Sequence, residues 1–165
     1  MFMNRYVTPR DMSLETHLSD ADIDRVLKEN ETGVLALARE NHPYATPVSY
    51  GYDSEKRRLY LRFVAPAKSD KGRLLDSATE ATLVVYASDG TWVSSVIARG
   101  QLEIIGPEEL TEEEIINFGK AQKPRFDMWQ EQLSELDIQL IRIEPTKLTG
   151  RRLPVEMGQI GSTSE

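Results

Sequence analysis

The chain has 165 residues, of which 39% are hydrophobic and 28% charged, with a formal net charge of −7 and a pI near 5.0. That length fits one domain with a real core, and the well-mixed charges set disorder aside except at the ends. The acidic balance argues against broad nucleic-acid binding, and the absence of cysteine excludes disulfides, thiolate metal sites, iron–sulfur clusters and cysteine nucleophiles.

The opening MFMNRYVTPRDMSL lacks a signal-peptide core, and no run approaches the length of a membrane span. A cytoplasmic protein without a membrane partner is the simplest expectation. The first helix is expected over Ser19 to Asn30. Ser19 can cap it, Asp22 stands where a capping-box acid would, and Ile23, Val26 and Leu27 form an apolar stripe. Gly33 marks its stop.

A series of β signals follows. GVLALARE (33–40) is a short apolar run, ENHP reads as a turn, and YATPVSYGY (44–52) is again strand-like. DSEKR (53–57) fits a hairpin tip, and RLYLRFV (58–64) alternates Leu59, Leu61 and Phe63 on one face. A short helix is expected from Ser69 to Ser77, then a buried strand ATLVVYA (81–87) and the turn SDG. TWVSSVIARGQLEII (91–105) reads as a long β segment that Gly100 bends or bulges. Pro107 to Leu136 reads as helical: Thr111 and Glu114 form a capping box, and Phe126, Trp129, Leu133 and Leu136 recur at helical spacing. DIQLIRIEP (137–145) alternates as a last strand, and MGQIGSTSE reads as a flexible end.

About six strands joined mostly by short turns predict an antiparallel sheet curled into a small barrel with peripheral helices, an α+β chain that is mainly β. Residues 1–18 are expected to form an N-terminal arm, 19–152 the barrel domain and 153–165 a tail.

Candidate chemistry is sparse. His17 and His42 are the only histidines, scattered in a chain without cysteine, which argues against a structural zinc site; no GxSxG, GxGxxG or GxxxxGK[ST] occurs. The acids Glu108, Glu109, Glu112, Glu113 and Glu114 read as a solvated helix N-terminus. Trp129 reads as core, whereas Trp92, just after a turn, either covers a flat ligand or anchors the sheet. One stretch stands out. Between positions 62 and 73, Arg62, Lys68, Lys71 and Arg73 face only Asp70, a net +3 in an acidic chain. They gather where a strand runs into a helix, and a helix start is already electropositive, so the arrangement suits an arriving anion. Ser69 can donate to a phosphate oxygen, Lys68 and Lys71 supply charge, and Gly72 lets backbone approach closely. A solvated basic turn is the alternative reading of the same residues.

The order of these segments resembles the pyridoxamine 5′-phosphate oxidase-like family of FMN-binding split barrels. The family's Ser-Arg-Lys-Gly loop is matched by Ser69-Asp70-Lys71-Gly72, its Gly-Phe-Asp-like strand end by ATPVSYGYD (45–53), and its Arg-Gln-Val…Gly segment by GQLEIIG (100–106). WVSSVIARG (92–100) and LIRIEPTKLTGRR (140–152) look closer to the branch related to nitroimidazole reductases than to the vitamin B6 oxidases. The resemblance implies FMN as cofactor and a homodimer with the site at its interface. It implies that Lys71 and Ser69 hold the phosphate, with Lys68 or Arg73 compensating for the charge of Asp70, and that Val64 and Ala65 lie near the ribityl chain and ring. Thr46, Pro47, Val48, Ser49 and Tyr50 would line the isoalloxazine through backbone contacts. Gln101 would contact the flavin, with Trp92, Ser94 and Ser95 coming from the second subunit. Asp70 stands where the oxidases carry Arg, and the oxidases' C-terminal Arg–His substrate signature is missing. The implied activity is an FMN-dependent oxidoreductase on an unidentified small molecule. A non-catalytic flavin carrier or sensor and a deazaflavin-binding form of the fold are the alternatives; haem, with only His17 and His42 as nitrogen ligands, ranks below them. No catalytic residue and no metal ligand is assigned.

Overall fold

The computed structural model describes residues 16–66, 75, 80–121 and 136–155. Seven strands appear among them: β1 (Thr16–His17), β2 (Thr32–Arg39), β3 (His42–Asp53), β4 (Arg58–Pro66), β5 (Glu80–Ser88), β6 (Trp92–Ile105) and β7 (Leu136–Pro154). Two α-helices accompany them, α1 (Asp20–Glu29) and α2 (Glu112–Lys120). All pairings are antiparallel; the sheet runs β1-β7-β4-β3-β2-β5-β6, and β6 pairs back onto β7. That last ladder closes six strands into a ring, the expected split barrel with peripheral helices.

Chain order explains most of the closure. Glu40 and Asn41 take positive φ (48° and 63°), so the β2–β3 hairpin turns in two residues, and Arg39 faces His42. The turn read as ENHP is thus shorter than expected, and His42 and Pro43 already belong to β3. Asp53 Oδ1 accepts from the N–H groups of Glu55 (2.9 Å) and Lys56 (3.1 Å), which fixes the next hairpin. Asp89 does the same for Thr91 (2.9 Å) and Trp92 (2.6 Å) ahead of β6. A register shift at Arg99/Gly100 marks the expected bulge. A Cβ on Gly100 would collide with the Glu144 carbonyl, so glycine is what lets β6 lie this close to β7.

α1 closes one end of the barrel. Ser19 Oγ accepts from the Asp22 N–H at 3.2 Å, as the sequence implied. Ile23, Val26 and Leu27 then join a single cluster with Leu35, Leu59, Leu61, Leu83, Val85, Val96, Ile141 and Ile143. Leu75, also helical, is fully buried in that cluster. Each such side chain contributes about 1.5–3 kcal/mol of burial.

Several expectations need correction. Gly33 does not stop α1; the helix ends at Glu29 and Gly33 lies within β2. The helix expected over Pro107 to Leu136 is a 3₁₀ turn (Pro107–Glu109) followed by α2, and Leu136 opens β7. Residues 122–135, with Phe126, Trp129 and Leu133, lie outside the described residues, as does the Ser69–Ser77 helix apart from Leu75. β7 continues past Pro145 to Pro154, because its second half pairs with β6 rather than β4. Glu114 is not solvated: it is 4% exposed, completes the capping box with Thr111, and pairs with Arg142 at 2.6 Å.

Candidate functional site

Part of the run that the sequence singles out, Thr46 to Ser49, lies where β3 parts from β4. β3 pairs with β2 along its whole first half, from His42 to Ser49. Its ladder with β4 is much shorter, running only from Asp53–Arg58 to Tyr50–Leu61. Beyond that point β4 follows β7 instead, through Phe63–Gln139 to Pro66–Leu136. Among the described residues, the β4-facing edge of β3 from Pro43 to Ser49 therefore has no strand partner.

The alternation of an antiparallel ladder shows which groups that edge presents. The Tyr50 N–H donates to the Glu31 carbonyl at 2.9 Å. Tyr50, Val48, Thr46 and Tyr44 thus direct their backbone groups toward β2, while Ala45, Pro47 and Ser49 direct theirs toward the split. The open edge offers the N–H groups of Ala45 and Ser49 and the carbonyls of Ala45 and Pro47. Pro43 and Pro47 sit where the ladder with β2 needs no N–H, which is why a strand can carry both. Across the split, Val64 turns its backbone groups back toward β3 by the same parity, since Arg58 and Tyr60 face β3.

The run Thr46–Tyr50 is therefore divided. Val48 and Tyr50 point their side chains into the core and are 6% and 2% exposed. Ser49 is buried on the outer face, Pro47 is exposed, and half-buried Thr46 places Oγ1 3.5 Å from the Pro47 carbonyl. The Tyr50 hydroxyl donates to the Leu27 carbonyl at 2.9 Å, and burial, followed by the Glu31 charge, pushes its pKa up. Val64 and Ala65 lie on β4 opposite Ile138 and Asp137. Lys68, Ser69 and Lys71 lie outside the described residues.

Trp92, Ser94 and Ser95 lie on β6, with β2 and β5 between them and β3. One chain does not bring them to the split. Trp92 is half-buried, with the Arg152 guanidinium stacked over its ring at 4.5 Å. Gln101 is exposed on β6 between Glu80 and Glu144. His17 and His42 are both exposed, and no cluster of acids or histidines fit for a metal occurs among the described residues.

Sequence reasoning missed the outer face of the barrel. Val34 (40% exposed) pairs with Val84, and Val84 with Ile97 (42% exposed), while exposed Pro47 faces Val34. These form an apolar row crossing four strands from the split to β6. The signal was present: GVLALA and TLVVY are apolar at consecutive positions, so both faces of those strands are apolar. Arg152, by contrast, carried no readable signal.

A closed antiparallel barrel, plugged by a helix and opened along one strand edge, defines a split-barrel class of domain. A family model for pyridoxamine 5′-phosphate oxidase matches residues 19–152, and the chain belongs to that family. No curated protein matches the chain. Among solved structures, a FAD-binding protein from Mesorhizobium loti is similar at a TM-score of 0.68 and 21% identity, over 84% of this chain and 98% of that one. A FAD-binding protein from Mycobacterium smegmatis is similar at 0.58 and 22%, over 86% and 100%. A candidate 5-nitroimidazole antibiotic resistance protein from Bacteroides thetaiotaomicron is similar at 0.64 and 13%, over 85% and 88%. At these identities the likeness is one of fold. No helix among the described residues is long and apolar enough to cross a membrane.

Proposed function

We propose that this chain binds a flavin nucleotide, FMN in our reading, with the ring against the open edge of β3 and the phosphate at Lys68, Ser69 and Lys71. The observation that carries the reading is the β3 edge left without a strand partner among the described residues, with donors at Ala45 and Ser49 and acceptors at Ala45 and Pro47. A flavin's pyrimidine ring offers carbonyl acceptors and one N–H donor, and a free strand edge supplies both counterparts. Family membership and the two FAD-binding neighbours support a flavin over other flat ligands.

A second copy of the chain would complete the site. Within one chain two strands separate Trp92, Ser94 and Ser95 from β3, and the Pro47–Val34–Val84–Ile97 row offers an apolar face for a homodimer. When bound, the flavin would supply hydride and electron transfer. The chain's part is to orient the ring, with the Ser49 N–H placed to stabilise charge on it. The proposed activity is oxidoreduction of a small molecule in the manner of the nitroimidazole-reductase-related branch, with no side chain assigned as acid or base.

Titration with FMN and, separately, with FAD tests this reading. FMN should bind more tightly, and Lys71→Ala should weaken it by roughly 1.5–3 kcal/mol if one charge-assisted contact is lost. Tighter FAD binding would replace FMN with FAD. Unchanged affinity in the variant would remove the phosphate assignment. Bleaching of the bound flavin by reduced nicotinamide marks an enzyme rather than a carrier.

A further inference from the structure

Under α2, two buried polar atoms have no hydrogen-bond partner among the described residues: Asp53 Oδ2 and the Tyr60 hydroxyl. Both side chains leave the outer face of the β3–β4 hairpin. Asp53 sits opposite Arg58 and Tyr60 opposite Gly51, so the two are diagonal neighbours across the ladder. Tyr60 is completely buried and Asp53 is 7% exposed.

The surrounding groups are already engaged. Phe118 of α2 meets the Tyr60 ring edge-on, with centroids 5.1 Å apart. Asp53 Oδ1 is taken by the Glu55 and Lys56 N–H groups. Glu113 pairs with Lys56 at 2.5 Å, and Glu114 with Arg142 and Thr111. Asn117 donates to the Glu113 carbonyl at 3.1 Å and accepts from Lys120 at 3.3 Å. The Arg58 guanidinium lies beside the phenol and the Glu113 carboxyl beside Asp53, yet among the described residues neither they nor any other group is in hydrogen-bond geometry with the hydroxyl or with Oδ2.

An orphaned buried carboxylate oxygen is costly, and so is an orphaned hydroxyl. The two do not satisfy each other, because they are not in hydrogen-bonding geometry. A shared partner must donate to the carboxylate, which only accepts, and accept from the phenol, which can donate. Water does both at once. A metal ion would need more anionic ligands than the described residues gather here.

We infer that one ordered water molecule is bound between Asp53 and Tyr60, donating to Oδ2 and accepting from the Tyr60 hydroxyl, as a built part of the seam between α2 and the barrel. The seam passes over Gly51, where the Asn117 carbonyl presses on β3, two residues from Ser49 and the start of the open edge. The water thus completes the seat of the helix that backs the split.

A high-resolution crystal structure of the full chain tests this. The expected result is one isolated density peak about 2.6–3.2 Å from both atoms. A direct Tyr60–Asp53 hydrogen bond, a protein side chain in that place, a metal ion with further ligands, or a dry gap would each overturn it. Tyr60→Phe gives an independent reading, because the ring and its packing on Phe118 remain. A bridged hydroxyl predicts a rise of roughly fivefold in the unfolding equilibrium constant. An unpartnered hydroxyl predicts the opposite sign, since its removal would relieve a buried polar group. No change or a fall in that constant therefore contradicts the bridge.

Discussion

The phenol of Tyr50 donates to the backbone carbonyl of Leu27 at 2.9 Å from inside the barrel. α1 ends at Glu29, so the Leu27 carbonyl is one of the last four that the helix leaves unpaired. A neighbouring carbonyl, that of Val26, is met by the Asn30 side chain at 2.8 Å. The barrel thus caps its own plug. Tyr50→Phe keeps the ring but strands the carbonyl, and should lower stability by about 1–2 kcal/mol. Urea unfolding checks this, and an unchanged midpoint would mean that the hydroxyl does not pin α1.

Gly51 has a different role. A Cβ there would overlap the Asn117 carbonyl of α2, which is backbone and has little room to give. Gly51→Ala should cost about 1–3 kcal/mol through overpacking and loosen the Tyr60–Phe118 contact. Thermal denaturation with near-ultraviolet dichroism would follow both; a wild-type melting temperature would show that α2 is not seated against β3.

Stability should respond to pH at both extremes. Burial raises the Glu114 carboxyl, but the Thr111 N–H and Arg142 outweigh it and hold the group below its ordinary 4.5. Asp53 follows the same pattern: burial raises it, and the Lys56 and Glu55 N–H groups bring it below 3.8. Between the folded and ordinary values the unfolded chain binds more protons. These groups therefore stabilise the fold above about pH 5, and the contribution fades as pH falls. Tyr52 acts in the opposite direction. Burial, then its 2.6 Å bond to Asp24, pushes the phenol up to about 12. Its contribution is complete below pH 10 and is lost as pH rises toward 12. Glu114→Gln should flatten the acid limb and Tyr52→Phe the alkaline limb of a denaturation profile. Variants with unaltered limbs would remove these assignments.

The apolar row on the outer face bears on assembly. Ile97→Glu places a charge at the β6 end of the row, beside Val84, on an exposed position, so the folded monomer should lose less than about 0.5 kcal/mol. If a second copy covers the row, sedimentation should show dimer for the wild type and monomer for the variant, with flavin affinity falling in parallel. An unchanged sedimentation coefficient would place the dimer contact elsewhere.

The barrel was largely legible because its strands announce themselves. Leu59, Leu61 and Phe63 alternate, Asp53 and Asp89 sit at turns, and Gly100 falls at the bulge. The Ser19 and Thr111 caps could be read from short-range chemistry alone. What escaped was long-range. The second half of β7 contains Pro145 and Gly150, which discourage a strand reading, and only pairing with β6 makes it one. Glu114 looked like one acid among many until Arg142, 28 residues away, came to meet it. The division of Thr46–Tyr50 between two edges depends on which strands flank β3, and periodicity within β3 does not encode that.

The proposed flavin ring lies in the split, against the β3 edge at Ala45, Pro47 and Ser49. A crystal structure of the full chain with saturating FMN tests it most directly. The pyrimidine end of the ring should lie within hydrogen-bonding distance of that edge, with the phosphate beside Lys71. Density for the ring elsewhere, or a split filled only by solvent at saturating flavin, would contradict it.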